Sequence, residues 1–281
     1  MESKFVNTNG IKLHVKVSGP EDGELLIFLH GFPEFWKSWE YIGKKFAECG
    51  YRVLIPDQRG YNLSDRPKKI NAYKMKELTA DILGLIKSEK REKATVIGHD
   101  WGAAVTWALA ANHGDNIKKA AVLNVPHPDV FLKEILTNPK QLRSSWYMFF
   151  MQLPFLPEKI WSFKNFKHFA KATSKGTKNH HICDLGGSDY VKAWSQKGAF
   201  TGMLNWYRAA FRSVTYNYKS PIKVPTLVIW GEKDPFVRVK MAAPSLKYCQ
   251  NGRLHLISKA SHFVHHDAPD EVYDTLKDFI N

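Results

Sequence analysis

Between residues 94 and 112 the chain changes character within five residues. Ala94-Thr95-Val96-Ile97 is an apolar run of strand length, Ala103 to Ala110 is small and helix-compatible, and Gly98-His99-Asp100-Trp101-Gly102 joins the two. A strand that must become a helix across so short a link has to turn sharply. The central residue of such a turn is strained and carries its side chain clear of the sheet. That residue is Asp100.

The residue type decides the chemistry. A hydroxyl nucleophile must lose its proton as it attacks, whereas an aspartate with an ordinary pKa of about 3.9 is already ionised near neutrality. Attack by a carboxylate on an ester would give only a reactive anhydride, but attack on saturated carbon gives a stable alkyl ester. The substrate class therefore carries a leaving group on an sp3 carbon, with a strained epoxide or a halide as candidates. Five residues alone fit an exposed turn equally well, so the weight falls on what surrounds them.

A chain of 281 residues with 44% hydrophobic content suits one α/β unit with an insertion. The first twenty residues show no apolar segment behind a basic start, and the longest apolar runs are strand length, so neither signal peptide nor membrane span is expected. Cys49, Cys183 and Cys249 are odd in number and far apart, which points to reduced thiols and a cytoplasmic location. The formal charge of +14 comes from scattered lysines with no nucleic-acid motif beside them, and reads as solvated surface.

Alternation around Asn9-Gly10, with Ile11, Leu13, Val15 and Val17 on one face, predicts an opening β-hairpin. Leu25 to Leu29 is a continuous apolar run, as in a strand covered on both faces, and ends in His30-Gly31-Phe32-Pro33. Helix is expected over 39–47, 74–88 and 101–112, and strand over 51–56, 94–98 and 120–125. Met75, Leu78, Ile82, Leu85 and Ile86 share a helical face. This is the pattern of an α/β, mostly parallel, doubly wound sheet.

The alternation stops at Pro126-His127-Pro128. From there to about Tyr218 the sequence is aromatic, lysine-rich and helical in pattern, with breaks at Pro139, Pro154, Pro157 and Gly186-Gly187. It reads as a helical cap over 127–218 inserted after the sixth strand, between core segments 1–126 and 219–281. Strands resume over 225–231 and 253–257, and the last helix starts near Pro269 with Val272, Leu276, Phe279 and Ile280 inward.

Asp100, Asp234 and His262 each follow the carboxyl end of a strand, where open α/β sheets bind ligands. His265 and His266 compete with His262, which is preferred because it directly follows the short linker Lys259-Ala260-Ser261. The order of nucleophile, acid and histidine is that of α/β hydrolases.

Together with His30-Gly31-Phe32-Pro33, Arg59-Gly60-Tyr61-Asn62-Leu63-Ser64-Asp65, Asn205-Trp206-Tyr207-Arg208, Gly231-Glu232-Lys233-Asp234-Pro235 and Ser261-His262-Phe263, these motifs make the chain resemble the epoxide hydrolases of the α/β-hydrolase superfamily over essentially its full length. The resemblance implies the α/β-hydrolase fold, an Asp100-His262-Asp234 triad, and two cap tyrosines that hold the epoxide oxygen, matching Tyr147 and Tyr207. A phenol with a pKa near 10 is a neutral donor at working pH, which suits an alkoxide in formation. The backbone N–H groups of Phe32 and Trp101 are the natural oxyanion donors. Phe32, Pro33, Trp101, Tyr147 and Tyr207 are the expected substrate contacts. The partners implied are an epoxide and water, with neither metal nor cofactor.

A haloalkane dehalogenase shares the aspartate but usually has Asn where this chain has Pro33, which offers neither a side-chain donor nor an N–H. A fluoroacetate dehalogenase would place Arg where Trp101 stands, and an esterase would need Ser in place of Asp100. A ligand-binding relative without turnover is the alternative from outside enzymology.

Overall fold

The N-terminal hairpin forms because Asn9 and Gly10 both adopt positive φ, 45° and 73°, which a two-residue turn between twisted strands requires. It joins β1 (Glu2–Thr8) to β2 (Ile11–Ser18). The structure is a computed structural model that describes residues 1–174, 177, 187–212 and 217–281. Cys183 and Gly186 lie outside the described residues.

Six further strands follow: β3 (Leu25–Leu29), β4 (Arg52–Pro56), β5 (Ala94–His99), β6 (Ile117–Leu123), β7 (Thr226–Gly231) and β8 (Gly252–Ile257). They form one sheet in the order β1-β2-β4-β3-β5-β6-β7-β8. β1 and β2 are antiparallel to each other, and β2 is antiparallel to β4; every pairing beyond is parallel. The mostly parallel sheet predicted from the alternation is present.

Side chains of one strand alternate between the two covered faces. Leu25, Ile27 and Leu29 enter the core shared with α2 (Met75–Ser88) and α3 (Trp101–Asn112). Leu26 and Phe28 enter the other, with α1 (Glu40–Glu48) and the C-terminal helix Pro269–Ile280. Double coverage is why β3 to β5 read as unbroken apolar runs. The face predicted for α2 is inward at Leu78, Ile82, Leu85 and Ile86.

Beyond shifts of a single residue, two boundaries differ from the sequence reading. The 39–47 helix is preceded by a 3-10 turn, Trp36–Trp39, which buries Trp39. β6 begins at Ile117 and ends at Leu123 rather than spanning 120–125. Lys118 and Lys119 hid its start, but both make bonds at the amino end of this interior strand: Lys118 pairs with Glu24, and Lys119 donates to the carbonyls of Phe279 and Ile280. Its end is set by Asn124, which leaves the strand at φ 56°.

Between β6 and β7 every described element is helical: α4 (Pro128–Thr137), α5 (Pro139–Ser144), α6 (Trp146–Phe150), α7 (Leu156–Ser162), α8 (Lys167–Thr173), α9 (Gly187–Ser195) and α10 (Ala199–Phe211). Pro128 and Pro139 sit in the first turns of α4 and α5 and Pro157 in that of α7, where the missing N–H costs nothing. No helix among the described residues is long and apolar enough to cross a membrane.

Phe28 is fully buried against Trp39 and Phe46, with ring centroids 5.3 and 5.8 Å away. Phe28→Ala should lower the unfolding free energy by about 3 to 5 kcal/mol, the range for a truncated core aromatic. Urea unfolding measures it, and a loss under about 1 kcal/mol would show that this face is not tightly packed.

Candidate active site

β5 ends at His99 and α3 begins at Trp101, so Asp100 alone makes the turn, at φ 49° and ψ −120°. The glycines around it answer to close packing. A Cβ at Gly98 would lie 2.2 Å from the Gly102 carbonyl oxygen, and one at Gly102 would lie 2.2 Å from that of Leu29. At Gly31 it would come within 2.3 Å of the Asp100 Cβ. The spacing read from the sequence is therefore what lets α3 and the β3 loop close around one carboxylate.

The Phe32 N–H donates to Asp100 Oδ1 at 2.7 Å. Asp100 Oδ2 lies 3.5 Å from His262 Nε2, and His262 Nδ1 donates to Asp234 Oδ2 at 2.8 Å. The structure thus brings together the three residues that the strand ends suggested. The Trp101 N–H makes no hydrogen bond to that carboxylate among the described residues, while its indole packs edge-on to Tyr207 at 5.0 Å. Pro33 follows Phe32 through a cis peptide bond, and its carbonyl accepts the Trp194 indole N–H of α9 at 2.6 Å.

The charges in this group support one another. Burial works against ionisation of Asp100, but the hydrogen bond and charge of His262, with His99 and the Phe32 N–H, outweigh it and hold the carboxyl below its ordinary range. Burial likewise opposes the His262 imidazolium, yet Asp234 and Asp100 together push it up to about 10. The resting site is an imidazolium between two carboxylates.

Tyr147 and Tyr207 both lie near this group. Tyr207, on α10, packs edge-on to Phe32 at 5.2 Å and to Tyr147, on α6, at 6.1 Å. Burial, then the negative charge of Asp100, pushes both phenols far above their usual range, so they stay protonated. Tyr147 also meets Phe236, whose ring lies 5.3 Å from that of His262.

The supporting residues were not legible beforehand. Asn124 donates to Asp234 Oδ2 at 2.7 Å and to the Ser261 carbonyl at 3.2 Å, while Phe236 and Val237 N–H groups hold Asp234 Oδ1. Its one signal was an Asn ending an apolar strand, a residue tolerant of positive φ. Behind His262, the His99 Nε2–H donates to the His262 carbonyl at 2.9 Å and Nδ1 faces Glu34 Oε2 at 3.0 Å.

The rival histidines belong to that rear layer. His265 and His266 approach Glu34 Oε1 at 3.3 and 2.7 Å, and His265 stacks on Trp39 with centroids 4.5 Å apart. Burial pushes His265 down to about 3, so it is neutral. Burial opposes the Glu34 charge, but His265 and hydrogen bonds from His266 and His99 hold its carboxyl well below the usual range. Glu34, His265 and His266 are the set of metal-capable donors that converges, within 4.8 Å, among the described residues. Of these contacts the His266–Glu34 pair is a hydrogen bond, whereas both ring nitrogens of His265 are buried without a hydrogen-bond partner among the described residues.

A carboxylate on a strand-to-helix bend, a histidine reaching it and an acid behind the histidine, all at the carboxyl edge of this sheet, are the arrangement of an α/β hydrolase with aspartate on the bend. The family described as alpha/beta hydrolase fold matches residues 24–269. The chain is 41% identical over 280 residues to the AB hydrolase superfamily protein YfhM of Bacillus subtilis (strain 168), covering 100% of this chain and 98% of that protein. It is 37% identical to epoxide hydrolase 4 of Homo sapiens, covering 98% and 77% respectively. Among solved structures, the Bacillus megaterium epoxide hydrolase in complex with an inhibitor superposes with a TM-score of 0.91 at 29% identity, over 99% of this chain and 100% of that one. The chain belongs to the α/β-hydrolase fold family and, within it, to the epoxide hydrolases.

Because His262 holds its proton more tightly folded than unfolded, its contribution to stability is complete below about pH 6.5, the unfolded value. That contribution disappears as pH rises through about 10. Asp100→Asn removes one of the two charges responsible and should lower the His262 value by at least about one unit. Imidazole titration by NMR reads this directly; an ordinary value in the parent protein would contradict the ion-pair description.

Proposed function

We propose that this chain opens a small-molecule epoxide to a vicinal diol through an ester on Asp100, with water as second substrate. The observation that carries the reading is a carboxylate already ionised on the bend, grouped with two phenols that remain protonated, Tyr207 buried and Tyr147 partly so. Asp100, His262 and Asp234 are the catalytic set, and Tyr147 and Tyr207 are the donors to the epoxide oxygen. Phe32, Pro33 and Trp101 complete the substrate surface.

In the first step Asp100 Oδ2, the oxygen not engaged by the Phe32 N–H, bonds to an epoxide carbon as its C–O bond breaks. The electron pair goes to the epoxide oxygen, which Tyr147 and Tyr207 stabilise by hydrogen bonding. The proton that converts it to an alcohol originates on His262 and passes by way of these phenols. Ester formation also removes the Asp100 charge that helped hold this proton, so the imidazole is left neutral when a base is next needed.

In the second step His262 takes a proton from water as the water oxygen bonds to the Asp100 carbonyl carbon, with Asp234 stabilising the new imidazolium. The negative charge develops on Oδ1, where the Phe32 N–H already points, with the Trp101 N–H as the second donor. Collapse breaks the bond to Oδ2, which leaves as the second diol oxygen and takes a proton. The remaining carboxyl proton returns to His262 and restores the ion pair.

The absence of an N–H on Pro33, and the commitment of the Trp194 N–H to the Pro33 carbonyl, favour an oxygen leaving group over a halide. We also read 127–218 as the cap and 1–126 with 219–281 as the core, the cap supplying both phenols. Free Cys49 and Cys249 are in keeping with a reducing, cytoplasmic setting, and nothing in the charge pattern calls for a nucleic-acid partner.

A single turnover in oxygen-18 water should give unlabelled diol and label in Asp100; label entering the diol at once would mean direct attack by water. His262→Gln should still form the ester but not hydrolyse it, so a protein mass gain equal to the substrate accumulates. Full turnover in that variant would move the base elsewhere.

A further inference from the structure

Most large apolar side chains left exposed among the described residues fall between residues 132 and 163, on one run of short helices from α4 to α7. Phe155 is 83% exposed, Leu136 75%, and Trp146 and Phe163 58% each. Exposed aromatics of this density are not needed to cover the core, which Phe166 and Phe169 fill from the same stretch. Surface patches of this kind mark binding faces.

The backbone holds them outward. Phe155 sits at φ 62°, a left-handed conformation unfavourable for a bulky residue, and Lys164 and Asn165, beside Phe163, are also left-handed at 50° and 54°. On α6, Tyr147 packs inward on Tyr207, while Trp146 and Phe149 face out, Phe149 against Phe211 at 5.4 Å. The outward face is thus the back of the wall that carries Tyr147.

Cations are interleaved with these side chains. Between 128 and 174 the chain has seven Lys and Arg residues and three carboxylates, and two of the latter are already neutralised from outside the segment, Glu134 by Lys240 and Glu158 by Arg208. Among the described residues none of the seven is in an ion pair, and Lys164 lies 5.5 Å from the centre of the Phe163 ring. All seven are exposed, along the same run of helices as the apolar side chains.

We propose that this face docks reversibly on a bilayer containing anionic lipid, with Trp146, Phe155 and Phe163 at the acyl boundary and Lys159, Lys164 and Lys167 among the headgroups. Aromatic and aliphatic side chains flanked by lysine are the composition of an interfacial membrane contact. A second copy of the chain fits less well, since protein interfaces are depleted of lysine and like charges would meet across it. The inference concerns attachment at the surface and stands independently of the reaction.

The test is sedimentation of the full chain with vesicles of phosphatidylcholine, with and without phosphatidylserine, at low and high salt. Binding to the anionic vesicles, weakened by salt, is expected. The pair Phe155→Ser and Phe163→Ser should lower the partition constant at least roughly tenfold, and Lys159→Glu with Lys164→Glu should abolish the preference for phosphatidylserine. An unchanged thermal unfolding midpoint certifies that each variant is folded. No binding at low salt, or equal binding of the aromatic variant, overturns the proposal. So does a concentration-dependent dimer, seen by light scattering and broken by the same substitutions, because it would assign the face to a second copy.

Discussion

One residue holds a conformation that its neighbours alone make tolerable. Asp100 sits at φ 49° with its N–H donating to the Leu123 carbonyl and its own carbonyl accepting from the Ala104 N–H, and the turn survives because Gly98, Gly102 and Gly31 let β3, β5 and α3 approach without any Cβ between them. The same closeness brings the Phe32 N–H to within 2.7 Å of the carboxylate. Strain and positioning are therefore a single structural fact: relaxing the bend would also withdraw the carboxylate from its donor.

Around that bend the protein keeps three charges in a dry place. Each is unfavourable alone, since burial opposes both the Asp100 carboxylate and the His262 imidazolium. Together they stabilise one another, and Asn124 with the Phe236 and Val237 N–H groups anchors the far end at Asp234. From behind, His99 bonds the His262 carbonyl and is itself held by Glu34, which also meets His265 and His266. Burial opposes charge on His262 and His265 alike, and the two carboxylates beside His262 are what leave it charged at the site while His265 is neutral in the wall.

The inserted helices act on both of their sides. Inward they contribute Tyr147, Tyr207 and the Trp194 bond to the Pro33 carbonyl, so they are tied to the same loop that supplies the Phe32 N–H. Outward they present aromatics and lysines that no core requires. α6, five residues long, separates the two sides by helical geometry alone.

The sequence by itself determined the parallel sheet, because strands buried on both faces must be apolar throughout, as Leu25 to Leu29 and Ala94 to Ile97 are. It also determined the bend at Asp100 and the places of Asp234 and His262, since a strand end next to a Gly-bounded or Pro-bounded turn leaves few positions for a side chain to reach the carboxyl edge. It misjudged the start of β6, where two lysines bond to Glu24 and the C-terminal helix rather than break the strand. It was silent on Asn124 and Glu34, whose partners lie 110 and 65 residues away along the chain. Which histidine is charged, and which of the cap's aromatics face water, only the tertiary structure decided. Desolvation and the distance between charges depend on what surrounds a group in space, and periodicity along a chain carries no record of that.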